Sequence, residues 1–332
     1  MIFGLLALYF LVATIVVLFS IKCADYVDMI DKKTNISGAF IGGVILAAVT
    51  SLPELVTSIS SIAIGNAGLI IGNVLGSDLF NLCIFGALTL VAVRNYKDSK
   101  VGASHVMTIV CTILAYFTTG AVLFFNWGSI PGVEINVASV IIVILYAVSC
   151  KFMASDDGEN DSEDDNDLTI KQVVIRFVLC ALGLVASSVA ITYITDILAA
   201  KLNLGSSVAG ALFLGVATSI PELTSSIALV RKGNFNAMIG NVLGSNMFNY
   251  IIFSLADIVA FGENVYVANH ESLGDSKLLI IFGLASTILT LASLVLKRFA
   301  KPEKKNTALC IIMAVLGAMI LASYIGFLVC SI

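Results

Sequence analysis

The sequence predicts an all-α membrane protein of ten transmembrane helices arranged as two inverted five-helix repeats. Three observations carry that prediction: an apolar composition, ten apolar runs of spanning length, and a pair of motifs repeated at one fixed offset. Of the 332 residues, 59% are hydrophobic and 12% charged, roughly half the charged fraction of a soluble domain. Mean hydropathy is +1.03. A chain with so few polar residues cannot cover an apolar core in water, and its solvent is a lipid bilayer.

A helix crosses a hydrocarbon core ~30 Å thick with about 20 apolar residues. Such runs occupy residues 2–21, 38–61, 69–92, 103–125, 135–153, 172–200, 206–230, 236–261, 277–298 and 307–331. The first is too long for the apolar region of a secretory leader, lacks a basic segment ahead of it and has no small-residue cleavage site behind it, so it reads as a retained helix. With ten spans, the connections near 22–37, 93–102, 151–171, 231–235 and 297–306 share one side. Together with Arg176 they hold all but two of the 18 Lys and Arg residues, the exceptions being Lys201 and Lys277. Basic loops stay in the cytoplasm, which places both termini outside the cell in a multi-pass plasma-membrane protein. An odd number of spans would scatter the same charges over both faces.

The internal repeat is the most informative feature. TSLPEL at 50–55 matches TSIPEL at 218–223, and GNVLGS at 72–77 recurs unchanged at 240–245. Phe80 and Asn81 follow the first copy, and Phe248 and Asn249 the second, so every pair is offset by 168 residues. Residues 1–150 thus form a first five-helix repeat with its motif at 47–81, and residues 172–332 a second with its motif at 215–249. Between them, 151–171 is an acidic cytoplasmic linker. Its run 155–167 lacks the ligand spacing of an EF-hand loop and reads as solvated chain. Since five is odd, the second copy crosses the membrane in the opposite sense to the first. Inverted repeats of this kind are a property of secondary transporters, whose ion sites lie near the bilayer midplane.

Proline lacks the N–H that would bond the carbonyl four residues back. Pro53 and Pro221 are therefore expected to open their helices and free the carbonyls of Val49 and Ala217. Such backbone is tolerated at membrane depth only inside protein or beside a water-filled cavity. Ala47, Thr50, Ser51, Glu54 and Ser58 fall on one stripe at helical spacing, as do Thr218, Ser219, Glu222 and Ser226. Ser77 with Asn81, and Ser245 with Asn249, are i,i+4 pairs on the following spans. The set offers oxygen without sulfur or imidazole, which argues against zinc, copper or iron and suits hard cations. Two buried glutamates, with no Lys or Arg at their depth, require compensating cations or protons. A charge near −2 matches one Ca²⁺ or two competing monovalent ions.

The other polar groups carry less. The seven cysteines are scattered without a CxxC pair, and His105 and His270 stand apart from any carboxylate cluster. Gly72, Gly76, Gly240 and Gly244 are spaced for close helix packing. Asp28 and Asp196, again 168 apart, read as capping or packing residues.

TSLPEL with GNVLGSDLFN, and TSIPEL with GNVLGSNMFN, resemble the two repeat motifs of the sodium/calcium exchanger family, and the likeness extends over nearly the whole chain. The resemblance implies an antiporter that extrudes Ca²⁺ as Na⁺ flows inward, with four central cation sites. It implies ligand roles for Thr50, Ser51, Glu54, Ser77 and Asn81, for Thr218, Ser219, Glu222, Ser245 and Asn249, and for the backbone carbonyls of Ala47 and Gly215. It also implies that the first and sixth helices slide as a gate. Ca²⁺ and Na⁺ are then transported ions, with no catalytic residue, no organic cofactor and no nucleic-acid partner, in a protein that functions as a monomer within the bilayer. Some members carry Asp where this chain has Asn249, and the family's Gly-Ser-Asn triplet becomes Gly76-Ser77-Asp78. Asp78 lies about 100° off the Ser77/Asn81 face and is expected to face away from the ions. A proton in place of Na⁺ remains the alternative coupling ion.

Overall fold

The computed structural model describes residues 2–33, 48, 50–99, 101–125, 127–128, 135–153, 168–231, 233–259, 273–299 and 307–331, the side chains of 24, 27, 28, 30–33, 273 and 275 excepted. In chain order the helices are α1 (Ile2–Lys33), α2 (Leu52–Ala63), α3 (Ala67–Val91), α4 (Val93–Asp98), α5 (Ala103–Phe125), α6 (Val137–Met153) and α7 (Ile170–Leu202). They continue as α8 (Ser206–Thr218), α9 (Ile220–Arg231), α10 (Phe235–Val259), α11 (Leu273–Phe299) and α12 (Thr307–Ser331). No strand occurs among the described residues.

Seven segments are long and apolar enough to cross a membrane: Ile2–Cys23 of α1, all of α3, α5, α7, α10 and α12, and Ser276–Phe299 of α11. The pair α8 and α9, bent by 44°, makes an eighth. The helices α2 and α6, with 12 and 17 residues, are apolar but shorter. The run expected at 38–61 begins outside the described residues, where Ala47, Val49, His270 and the acidic run 155–167 also lie, whereas the outer parts of the expected linker 151–171 belong to α6, which reaches Met153, and to α7 with its cap at Thr169. The structure is thus an all-helical membrane architecture of seven to eight candidate spans among the described residues.

Local signals set the ends. Thr169 and Gln172 form a reciprocal capping box at the start of α7, and Asn203 ends that helix in the left-handed region at φ 56°. Asn66 caps α3 by accepting from Leu69 N–H, while its amide donates to Asp196 of α7 at 2.6 Å. Asp196 therefore has the packing role expected of it; the Asp28 side chain lies outside the described residues.

The helices α1 and α7 run side by side, with Tyr9, Val16 and Cys23 packed against Leu184, Ile191 and Leu198. Phe10, Leu11 and Leu18 of α1 and Leu179 and Leu182 of α7 are exposed on their outer faces, as suits helices that meet hydrocarbon rather than water. At the centre stand α3 and α10, whose spanning windows are 67% and 72% buried against 17% in α1. Around them α5, α6, α11 and α12 share a core in which Tyr116 and Tyr250 meet edge to face, 5.4 Å between ring centres.

One contact is backbone on backbone. Gly72 and Gly76 of α3 lie against Ser207, Gly210 and Ala211 of α8, so closely that a Cβ on Gly72 would fall onto the Ser207 carbonyl oxygen. A Cβ on Gly76 would sit 2.6 Å from that of Ala211, and one on Gly215 would sit 2.9 Å from Ser77 N. The small residues read as packing positions at 72 and 76 hold this seam together. At the opposite end of the molecule, buried Lys297 of α11 donates to the Tyr96, Lys97 and Ser99 carbonyls. Its ammonium also lies 4.8 Å from the centre of the Tyr96 ring. The charge thereby complements the C-terminal end of α4.

Candidate functional site

The two TSxPE segments break their helices in the same way. Ser51 sits at φ −91°, ψ 12° and Ser219 at φ −93°, ψ 6°, each just before a helix whose second residue is proline. Ahead of the second break, Gly210–Gly215 winds as a π-helical turn. A turn of that kind inserts a residue into the helical repeat and is frequent at functional sites. One carbonyl of this turn, that of Phe213, accepts from the Tyr9 hydroxyl of α1 at 2.6 Å.

Glu54 and Glu222 follow immediately, in the first turns of α2 and α9. Their main chains are held by a matched pair of asparagines. Asn73 donates to the Glu54 carbonyl at 3.1 Å, to Thr57 at 2.9 Å and to Ser58 at 3.1 Å. Asn241 donates to the Glu222 carbonyl at 3.4 Å, to Ser225 at 3.0 Å and to Ser226 at 3.1 Å. Every residue in the second set is 168 beyond its counterpart in the first. The motif spacing alone gives neither asparagine a role, although both stand inside the repeated GNVLGS. Asn73→Ala is expected to destabilise the protein by about 1–3 kcal/mol by leaving buried acceptors unpaired. The readout is the thermal unfolding midpoint in detergent; an unchanged midpoint would show that other contacts hold the Glu54 carbonyl.

The carboxylates cross between the halves. Glu54 Oε1 accepts from Ser219 at 3.4 Å, with Thr218 beside it. Glu222 Oε1 accepts from Ser245 at 3.4 Å and is also reached by the Thr50 hydroxyl. The two acids are close enough to repel each other. Neither forms an ion pair among the described residues, and both are at most 1% exposed.

The structure brings all the described members of the expected set into one buried region of α2, α3, α8, α9 and α10. Ala47 lies outside the described residues. Ser51 Oγ, Glu54 Oε2, Asn81 Oδ1, Glu222 Oε2 and Asn249 Oδ1 are buried oxygens without a hydrogen-bond partner among the described residues. Leaving such oxygens dry and unpaired is costly. A hard cation bound among them would remove that cost, so the donor set fits Ca²⁺ or Na⁺.

The Gly215 carbonyl accepts from Ser219 N–H at 3.2 Å and from the Ser77 hydroxyl at 3.3 Å, so both of its lone pairs are engaged. Asp78, expected to face away from the ions, is fully buried, and its Oδ1 accepts from Nδ2 of Asn249, itself one of the expected ligands, at 2.9 Å. Among the remaining groups, His105 Nε2 lies 2.9 Å from Asn236 Oδ1, away from the glutamates. No cluster of three or more His, Cys, Asp or Glu side chains occurs among the described residues.

Helices long and apolar enough to cross a membrane, paired breaks at matched positions of the two repeats and a cluster of buried side-chain oxygens define an ion transporter. The chain belongs to the sodium/calcium exchanger protein family, whose family model matches residues 3–154 and 172–332. It is 26% identical over 307 residues to the putative antiporter CaxA of Alkalimonas amylolytica, an alignment covering 90% of this chain and 89% of that one. Among solved structures, the H⁺/Ca²⁺ exchanger CAX superposes with a TM-score of 0.68 at 16% identity, covering 98% of this chain and 90% of that one. The sodium-calcium exchanger NCX_Mj superposes at 0.57 with 20% identity, covering 99% of both chains. At these identities the two structures share the fold with this chain. The family consists of exchangers rather than enzymes.

Proposed function

We propose that this protein is a Na⁺/Ca²⁺ antiporter that extrudes Ca²⁺ across the plasma membrane by alternating access. The observation that carries the reading is the crossed pair of glutamates. Among the described residues each carboxylate is buried without a cationic partner, is held by hydroxyls that include the other half's TSxPE segment, and keeps one oxygen unpaired. The two glutamates together contribute a charge near −2, which suits one Ca²⁺ or several Na⁺ but not both loads at once, and that exclusion is the basis of exchange.

In this reading Thr50, Ser51, Glu54, Ser77 and Asn81 join Thr218, Ser219, Glu222, Ser245 and Asn249 as ligands, with the carbonyls of Ala47 and Gly215. The Gly215 oxygen serves once the Ser77 hydroxyl turns away from it toward an ion. The repeats form ten spans of inverted topology with both termini outside, and α1 and α7 move together past the central helices. Their outer faces, exposed to lipid, leave them free to do so.

Proteoliposomes test the coupling. Vesicles loaded with Na⁺ and diluted into Na⁺-free medium should take up ⁴⁵Ca²⁺, with a sigmoidal dependence on internal Na⁺. The second reading, H⁺/Ca²⁺ exchange, draws on the buried acids, which can carry protons, and on the fold shared with CAX. It predicts uptake driven by an acidic interior with no Na⁺ present. Uptake indifferent to both gradients would dispose of antiport altogether.

A further inference from the structure

Asn81 and Asn249 supply the two amides of the proposed ligand set, and an amide serves a cation only through its oxygen. Rotated by half a turn it would present NH₂ and repel the ion. Both rotations are fixed by residue 78. Its main-chain carbonyl, which can only accept, takes Asn246 Nδ2 at 3.1 Å and leaves the Asn246 oxygen as the other end. That oxygen accepts from Asn81 Nδ2 at 2.9 Å. The Asp78 carboxylate accepts from Asn249 Nδ2, also at 2.9 Å. Both ligand amides thus have their nitrogens engaged, and both of their oxygens are buried without a hydrogen-bond partner among the described residues. All four side chains are at most 1% exposed, so bulk water does not compete for them.

We propose that Asp78 and Asn246 are positioning residues of the cation site: they hold the amide nitrogens of Asn249 and Asn81 across the contact between α3 and α10, so that each amide meets the ion oxygen-first. The proposal rests on the reading of Asn81 and Asn249 as ligands. A packing role alone accounts poorly for Asp78, because a buried carboxyl with one side-chain partner and a second, unpaired oxygen is a costly filler. Positions 78 and 246 are 168 apart and play the same part with different chemistry, one an acid and the other an amide. Their shared property is an acceptor oxygen.

Ca²⁺ uptake kinetics in proteoliposomes test this with the full chain. Asn249→Ala checks the underlying reading: it should raise the KM for Ca²⁺ about tenfold or more, and an unchanged KM would overturn reading and proposal together. With that control in place, Asp78→Ala should raise KM about five- to tenfold, the worth of one buried hydrogen bond, with less effect on maximal rate. Asp78→Asn keeps an acceptor oxygen and should recover most of the loss. The double variant Asp78→Ala/Asn249→Asp should also bind better than Asp78→Ala alone, since a carboxylate presents oxygen in either rotation. A purely structural Asp78 would depress folded yield and maximal rate with neither rescue, and that pattern, or an unchanged KM in Asp78→Ala, refutes the proposal. Should Asp78→Ala fail to fold, Asn246→Ala and its rescue by Asn81→Asp put the same question to the other half: a raised KM that the second change restores supports the proposal, and an unchanged KM or a failed rescue refutes it.

Discussion

Glu54→Gln and Glu222→Gln are each expected to abolish gradient-driven ⁴⁵Ca²⁺ uptake. Glutamine keeps the size of the side chain and one oxygen, but it removes a charge and places an NH₂ donor among the oxygens of the proposed ligand set. A unit charge in contact with a divalent ion contributes on the order of 10 kcal/mol of gross attraction at an effective dielectric near 20. Desolvation cancels much of that, yet a net loss of about 3 kcal/mol already weakens binding by roughly a hundredfold. Equilibrium ⁴⁵Ca²⁺ binding to detergent-purified protein separates lost affinity from lost transport. Since each glutamate is held by residues of both halves, the two variants should fail alike. Exchange that persists in either one would remove the crossed pair from the mechanism.

Gly72→Ala is expected to unfold or cripple the protein by another route. Its Cβ would land on the Ser207 carbonyl oxygen, with Ala211 N and Gly210 Cα each 2.9 Å away, all main-chain atoms that cannot swing aside. Forcing a methyl into a packed interior costs about 1–3 kcal/mol, and more where backbone must shift. The expected result is a lower unfolding midpoint in detergent together with lost uptake. Gly4→Ala, where no heavy atom lies within 4 Å of the new Cβ, is the control and should match the parent. A Gly72→Ala protein with normal stability and uptake would mean that α3 and α8 are not held in this contact.

How far the sequence can be read depends on whether a feature is local. The breaks at Ser51 and Ser219 follow from proline two residues on, and the oxygen stripes follow from helical spacing, so Thr50, Glu54, Thr218 and Glu222 group together without any coordinates. The apolar runs mark the helices, but α1 continues past its apolar part to Lys33, because a helix does not end where the hydrophobicity does. Asp78 escapes a helical wheel because the wheel treats one helix alone. A face turned from one set of ligands can be turned toward another helix, here α10. The family resemblance offers the Gly215 carbonyl to the ions; the i,i+4 bond from Ser219 N–H and the distant Ser77 hydroxyl both occupy it, and only the second of these depends on the tertiary fold. Nothing in GALFLG distinguishes a π turn from an ordinary apolar helix. Lys297 falls with the aqueous connections when charges are counted, whereas its stem lies in α11 and its ammonium reaches buried carbonyls of α4.

The glycine seam between α3 and α8 bears on leakage. An exchanger conserves a gradient only if no continuous file of water ever joins the two compartments. Side chains that plug a passage can rotate out of it, and a plug made of them opens now and then by thermal motion. Main chain pressed against main chain offers nothing to rotate. At the level of Gly72, Gly76 and Gly210 the contact is therefore more a weld than a door. If Glu54 and Glu222 hold the ions as proposed, the paths that admit them from either face are expected to skirt this joint.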